Sequence, residues 1–478
     1  MEETRYLIID IGSSSIRVSI INNLLAVEDL ETIKRKAEIT FDAEQEWRLI
    51  KTMVGKLAAR NKAIDGIAVS SLIGWVGVDL SGDAVTPCFS YMHQCVDQFN
   101  EFAEKYTNQD VYPINGRCMN PELGIFKIKY LEEESPEMYR KLYYFISIKD
   151  YINLKLTGEF AIDHTSACYT MAYDIHKAGW SEKIISMVGV DKEKFPKLIR
   201  PYERLGLIKN EIANELRIPE NTPVAGGGSD GSVGILGAGG VEKNMAVSVM
   251  GTTDVTFAIS AECKLEKTQS LVVNPHVIPN LWLIGGPMGM FGGTIDWLIH
   301  NVMYDSCDIN KINELIEGIP AGCDGLKFIP TLLGERTPFW NSKIQGTMVG
   351  IRPVHRAEHI YKAIMEANGY TLRRILELAG LSGVQIDRAI SIGGGSKSKQ
   401  WLQIRSDIIK LPVFSARVSE ATTIGSAMLV MLMMGVPVDR LPVVNIADSY
   451  RCNAIAAGEY DGLYMEYLQL MKIAMKIY

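Results

Sequence analysis

Two stretches far apart in the chain carry the same run of apolar and polar positions. The first is Ile9-Asp10-Ile11-Gly12-Ser13-Ser14-Ser15-Ile16-Arg17-Val18-Ser19-Ile20, the second Val249-Met250-Gly251-Thr252-Thr253-Asp254-Val255-Thr256-Phe257-Ala258-Ile259. Each has an apolar run, a glycine, two or three small hydroxyl residues, then apolar residues in alternation with others. The pattern predicts strand, tight turn, strand, with the second strand half buried. Gly12 and Gly251 stand half of the 478-residue chain apart. A glycine–hydroxyl turn offers backbone N–H groups and hydroxyls to an anion with no bulky side chain in the way. Two such turns facing across a cleft would clamp a polyphosphate from both sides.

Further along, His359 to Ala379 carries Ile360, Ala363, Ile364, Ala367, Thr371, Ile375 and Leu378 at three- and four-residue spacing, which predicts a helix with Gly380 as its stop. Ala389-Ile390-Ser391-Ile392 reads as a short strand running into Gly393-Gly394-Gly395-Ser396-Lys397-Ser398. A helix follows with Trp401, Ile404 and Ile408 on one face, and Pro412 precedes the strand Val413-Phe414-Ser415. Strand, glycine-rich turn and helix in this order hold nucleotides in α/β folds, because glycines let a ligand reach the helix N-terminus. The same glycines could equally make only a tight turn. Neither the GxxxxGK[ST] nor the GxGxxG spacing is present here. The glycine-rich run Ala225–Gly240 predicts a hinge between two halves, both mixing strands with amphipathic helices in the manner of α/β domains.

Composition narrows the classes without adding to them. The length calls for at least two domains, and 47% hydrophobic with 22% charged residues is ordinary for a globular protein. A net charge of −7 argues against nucleic acid or an anionic membrane as partner. The longest apolar stretch, Ala427–Val438, is too short to span a bilayer, and no signal-peptide pattern precedes the first strand. Eight cysteines without a CxxC or regular spacing favour a reduced, cytoplasmic protein over a disulfide framework or zinc site.

These motifs together resemble the FGGY carbohydrate kinases, within the actin/hexokinase/heat-shock ATPase superfamily. Asp10 to Arg17 is similar to the family's first phosphate motif, with Ser13 and Ser14 in place of threonines. Gly226-Gly227-Gly228-Ser229-Asp230 resembles the segment carrying its catalytic aspartate. Gly289 to Trp297 resembles a second-domain helix start, Gly334-Glu335-Arg336-Thr337-Pro338 the loop of xylulokinase- and gluconokinase-like members, and Gly346–Ile351 with His359–Glu366 the C-terminal signature. Gly393 to Ile404, completed by Glu420 and Gly425-Ser426-Ala427, is similar to the adenosine motif. The first-domain signature near Lys127–Leu131 has Tyr130 in place of tryptophan, while Tyr143 to Phe160 keeps the lysine–aspartate–tyrosine and threonine–glycine pattern.

The resemblance implies an α/β fold of two RNase H-like, actin/hexokinase-type domains around a central nucleotide/sugar cleft. Residues 1–238 would hold the sugar and the catalytic aspartate, and 239–478 the nucleotide. It implies an ATP-dependent kinase for a small sugar, sugar acid or polyol, with Mg²⁺ as metal, no nucleic acid or membrane partner, and a homodimer as one candidate assembly. Asp230 is expected to be the base that takes the acceptor proton, and Asp10 with Asp230 to hold Mg²⁺. Gly12, Ser13, Ser14 and Arg17 would bind phosphate from one side and Gly251, Thr252 and Thr253 from the other; Arg17 could instead be a solvated strand residue. Gly292, Gly293, Gly393, Gly394, Gly395, Ser396 and Ser398 would hold the nucleotide. Where xylulokinase-like members place Gln-Met-His and Trp-Asn-Asp in the sugar pocket, this chain has Leu72-Ile73-Gly74-Trp75 and Tyr91-Met92-His93. Ile73, Gly74, Trp75, Tyr91 and His93 are therefore the substrate-binding candidates, with Trp75 and Tyr91 as core residues the alternative. A sugar- or nucleotide-responsive regulator of low turnover and a chaperone- or filament-like ATPase are the competing readings.

Overall fold

A computed structural model describes residues 3–60, 63–303, 309–416, 418 and 420–478. The chain forms two compact units. One contains the residues up to Gly237 with Asn274–Leu281 and Glu420–Val443; the other contains Ala238–Val273, Trp282–Ser419 and Val444–Tyr478.

In the first unit, strands Arg5–Ile11 and Ser15–Asn22 form an antiparallel hairpin around the Gly12–Ser14 turn, extended by Val27–Lys34. On the other side Gly66–Ser71 runs parallel to Arg5–Ile11, followed by Pro223–Ala225 and then Arg204–Leu207. The innermost strands are buried on both faces, so Leu7, Ile8 and Ile9 follow one another as an unbroken apolar run. Helix Ala43–Arg60 lays Trp47, Ile50, Met53, Val54 and Leu57 into this core at helical spacing.

The second unit repeats the scheme. Met245–Met250 and Asp254–Ser260 form a hairpin around Gly251–Thr253, Trp282–Pro287 joins on one side, and Arg388–Ile392 lies parallel on the other, followed by Val413–Ala416 and Ile446–Tyr450. The sequence repeat is thus a repeat of topology: hairpin, glycine–hydroxyl turn, parallel neighbour. Helix Lys399–Ile409 buries Trp401, Ile404 and Ile408 as their spacing predicts.

Two expectations are corrected. Gly380 does not end its helix, which spans Ala357–Leu381 and turns off at Gly383, where φ is 89°. A glycine inside a helix costs only about 1 kcal/mol relative to alanine, and the Ser382 N–H still reaches the Leu378 carbonyl. The boundary between the two units does fall in the glycine-rich run, directly after Gly237, but the residues before it are packed structure and not flexible chain. Gly228–Ser229 is a short strand beside Gly66–Ser71, and Asp230–Gly237 is a helix. A Cβ on Gly237 would stand 1.8 Å from the Ala421 carbonyl oxygen, and one on Gly425 2.1 Å from that of Val233. Helices Asp230–Gly237 and Ala421–Met433 therefore touch backbone to backbone, and glycine is what permits the approach. Among the described residues no helix is long and apolar enough to cross a membrane.

Candidate active site

Strand pairing in the first unit brings three polar positions to one place. Asp10, next to last in its strand, lies opposite Arg17 in the hairpin and beside Ser70 in the parallel neighbour; Ser70 in turn faces Gly228, two residues before Asp230. Asp10 is only 3% exposed. Ser70 Oγ donates to its Oδ1 at 3.1 Å, and Arg17 Nη1 lies 3.4 Å from its Oδ2 and 3.2 Å from Glu420 Oε2. Burial pushes the Asp10 carboxyl up to about 6, against the pull of Arg17 and Ser70. Asp230 opens its helix, and the Gly231 N–H donates to its Oδ1 at 2.7 Å. Burial first, and the Asp10 charge second, push Asp230 up to about 7. Its side chain nevertheless keeps part of its surface open to solvent. The pair is a place where negative charge is crowded and a cation or proton is welcome.

The loop before Asp230 is held from behind. Lys149 Nζ donates to the Gly226 carbonyl at 2.8 Å, is ion-paired with Asp150, and lies 3.2 Å from Asp163 Oδ2. Asn153 Nδ2 also donates to Gly226, and the Ser229 N–H donates to Thr165 Oγ1 at 3.1 Å. Gly227, at φ 72°, has room for no side chain, since a Cβ would meet the Val69 carbonyl at 2.1 Å.

In the turn itself the Gly12 N–H donates to the Ser15 carbonyl at 2.9 Å, leaving Ser13 half-buried and Ser14 exposed. A cavity of about 10 Å³, room for a single water, joins Ser13 to Leu72, Tyr91 and Met92. The Tyr91 N–H donates to the Ile73 carbonyl at 2.9 Å, so the two segments expected at the sugar pocket are neighbours. Ile73, Tyr91 and His93 are half-buried and Gly74 is buried. His93 Nδ1 lies 3.6 Å from Cys95 Sγ, with its ring against Phe89 and Tyr130. Burial and then Lys127 hold His93 below the usual imidazole range. Trp75 differs from the others. It has no exposed surface, stacks on Phe145 at 5.7 Å, and abuts Gly124, so it is a core residue that backs this wall.

In the second unit the glycine motifs converge on the Gly251–Thr253 turn. A Cβ on Gly292 would stand 2.2 Å from the Gly251 carbonyl oxygen, the Gly293 N–H donates to the Thr252 carbonyl at 3.0 Å, and a Cβ on Gly393 would stand 2.6 Å from the Met250 carbonyl oxygen. Gly395 packs on the Met250 side chain, while Gly394 and Thr252 are exposed. Ser396 Oγ donates to the Gly393 carbonyl, and Ser398 Oγ caps helix Lys399–Ile409 by accepting from the Trp401 N–H.

Sequence reasoning missed the buried ion pair behind that turn. Asp254 follows Thr253 directly, and its carboxylate receives Arg405 Nη2 at 2.6 Å and Asn368 Nδ2 at 2.8 Å. Arg405 Nε and Trp401 Nε1 both donate to Asn368 Oδ1. One signal was available: Arg405 lies four residues after Trp401, on the stripe that reads as buried. Lys149 heads the lysine–aspartate–tyrosine run Lys149-Asp150-Tyr151, but nothing local says that it reaches Gly226, and for Ser70 and Asp163 no local pattern marks the role.

Residues 5–237 match the FGGY family of carbohydrate kinases, N-terminal domain, and residues 246–434 its C-terminal domain. The xylulose kinase of Bacillus subtilis is 26% identical over 88% of this chain and 86% of its own length, and the gluconokinase of the same organism 25% over 86% and 83%. The crystal structure of a ligand-bound xylulose kinase from Lactobacillus acidophilus superposes with a TM-score of 0.91 at 20% identity, covering 98% of both chains. The regulator and chaperone-like readings find no support in these relatives. With two consecutive domain matches over most of its length and a two-domain α/β fold shared with sugar kinases, the chain belongs to the FGGY family of carbohydrate kinases.

Proposed function

We propose that this ATP-dependent kinase phosphorylates a hydroxyl of a small sugar, sugar acid or polyol, with Asp230 as the base and Asp10 and Asp230 as its share of a Mg²⁺ site. The observation that carries the reading is the crowded pair of carboxyls at the strand end and the helix start. A sugar hydroxyl is a poor nucleophile at neutral pH, and a positioned carboxylate can take its proton as it attacks. Among the described residues no group of three or more His, Cys, Asp or Glu side chains is placed to hold a metal. Two carboxylates suit Mg²⁺, which binds through one or two acids and fills its shell with water and phosphate oxygens. Asp10 and Asp230 would hold the ion, which would supply neutralisation of charge on the transferring phosphoryl group.

In this reading Gly12, Ser13 and Ser14 receive the γ-phosphate, Gly251, Thr252 and Thr253 the other nucleotide phosphates, and Gly292, Gly293 and Gly393–Ser398 the adenosine end. Arg17 is engaged with Asp10 and Glu420, so it orients Asp10 and contributes less to gripping phosphate. Ile73, Gly74, Tyr91 and His93 face the acceptor, with Trp75 behind them. The free cysteines suit a reducing cytosol, with the enzyme a monomer or homodimer.

The test is coupled ADP release with Mg·ATP over ketopentoses, ketohexoses, aldonic acids and polyols. Asp230→Asn is expected to lose about 10²–10⁴-fold in kcat while calorimetry still shows acceptor binding. Turnover within a few-fold of the parent would remove Asp230 from the role.

A further inference from the structure

The buried cations of this chain are answered in different ways, and Arg117 stands apart. Lys149 has Asp150 and Asp163, and Arg405 has Asp254. Lys127 donates to the Glu122 carbonyl, and burial lowers it to about 8, so it can shed its proton. A guanidinium cannot shed its proton in this way. Arg117 is 6% exposed, yet among the described residues no carboxylate lies within ion-pair distance of it. Its Nη2 donates to Asn274 Oδ1 at 2.8 Å, its guanidinium carbon lies over the Tyr169 ring 3.7 Å from the centroid, and its buried Nε has no partner among the described residues. Asn274, 1% exposed, has Nδ2 unpartnered among the described residues. Two unsatisfied donors beside an uncompensated positive charge are a costly arrangement unless an anion completes it.

The neighbours of Arg117 are tied to the loop that ends in Asp230. Tyr169 comes four residues after Thr165, which holds the Ser229 N–H. Asn274 comes three residues before Val277, which packs 3.5 Å from where a Cβ of Gly228 would stand. Stacking on Tyr169 occupies the face of the guanidinium and leaves its in-plane N–H edge for a planar acceptor, the geometry of a carboxylate fork.

We propose that Arg117, with Asn274, recognises a carboxylate on the acceptor, so that the enzyme selects a sugar acid of the aldonate type over neutral ketoses and polyols. The proposal rests on Asp230 being the site of transfer. Arg117 is then the specificity-determining residue, and the apolar Leu72-Ile73-Gly74 wall is compatible with it because the carboxylate, rather than a row of hydroxyl contacts, orients the acceptor.

The experiment uses the full chain, Arg117→Met and Arg117→Lys, with five- and six-carbon aldonates, the matching alditols, ketoses and sugar monophosphates as probes. For the parent, aldonates are expected to raise Tm where alditols do not, and kcat/KM to favour aldonates over alditols by about 10²-fold or more. Arg117→Met should bring that ratio to within a few-fold, chiefly through KM, and Arg117→Lys should restore part of it. Free Arg117→Met should melt no lower than the parent, because it removes an unpaired buried charge. A neutral sugar preferred by the parent, stabilisation by sugar monophosphates alone, or an acid preference surviving in a destabilised Arg117→Met would overturn the proposal. ADP release on neutral sugars alone sinks this inference and leaves the assignment of Asp230 intact. Arg117-dependent aldonate binding without transfer to any carbohydrate does the reverse.

Discussion

Replacing Asp230 by asparagine should stabilise the free enzyme at alkaline pH even as it abolishes transfer. The carboxyl rises from 3.8 to about 7 on folding, which corresponds to ~4 kcal/mol at 1.36 kcal/mol per tenfold change in proton affinity. Between those two values the unfolded chain has released this proton and the folded chain keeps it, so stability falls as pH rises. The contribution is complete at low pH and gone above about pH 7. Because part of the side chain meets solvent, we take half of the full value, ~2 kcal/mol, as the cost at pH 8. Asparagine keeps the shape and the Oδ1 acceptor for the Gly231 N–H without carrying the charge. At 2–4 °C for each kcal/mol in a unit of this size, Asp230→Asn should melt about 4–8 °C above the parent at pH 8. The gap should shrink at pH 5, where the parent carboxyl is still protonated. Calorimetric melting of both proteins at the two pH values, without nucleotide, measures the effect. An Asp230→Asn variant no more stable than the parent at pH 8, or a gap that does not change with pH, would refute a crowded, proton-hungry pair at this site.

Arg405→Leu leaves Asp254 buried without its partner and should cost about 3–5 kcal/mol in chemical denaturation; adding Asp254→Leu should recover most of it, and additive losses would count against the pairing. Gly425→Ala places a methyl 2.1 Å from the Val233 carbonyl and should destabilise by about 3 kcal/mol or more; a neutral change would mean that the helices are not in backbone contact. His93→Ala should raise KM for the cognate acceptor about tenfold, and D-xylulose should be turned over with kcat/KM below about 10⁴ M⁻¹s⁻¹. An unchanged KM would place the acceptor elsewhere, and efficient use of D-xylulose would contradict the reading of Leu72–Trp75.

The hairpins around Gly12 and Gly251 were legible because strand alternation and turn chemistry are local properties of a few adjacent residues. Helix Lys399–Ile409 was legible for the same reason, through Trp401, Ile404 and Ile408. The direction in which Trp75 points was not, because an aromatic residue in a strand buried on both sides satisfies either face. The glycines from 231 to 237 read as flexibility, whereas they make a helix whose neighbour comes from residues almost two hundred positions later. Asp10 and Asp230 could be singled out one at a time. Their meeting through Ser70 depends on a parallel strand pairing that no local pattern encodes.

Helix Ala421–Met433 also sets a timetable. The first unit is not a contiguous stretch of chain: the helix that begins at Asp230 lacks its backbone-to-backbone neighbour until the segment Glu420–Val443 has been made. At 5–20 residues per second, a ribosome takes roughly ten to forty seconds to travel from one helix to the other. Throughout that interval Val233, Ile235 and Leu236 belong to an incomplete core, as does Gly66, whose nearest side-chain neighbour is Val430. A nascent chain in this condition presents apolar surface next to an unfinished sheet, the kind of surface that chaperones bind. For the same reason a fragment ending at Gly237 should not be an autonomous domain, even though the residues that crowd around its carboxyl pair are nearly all present.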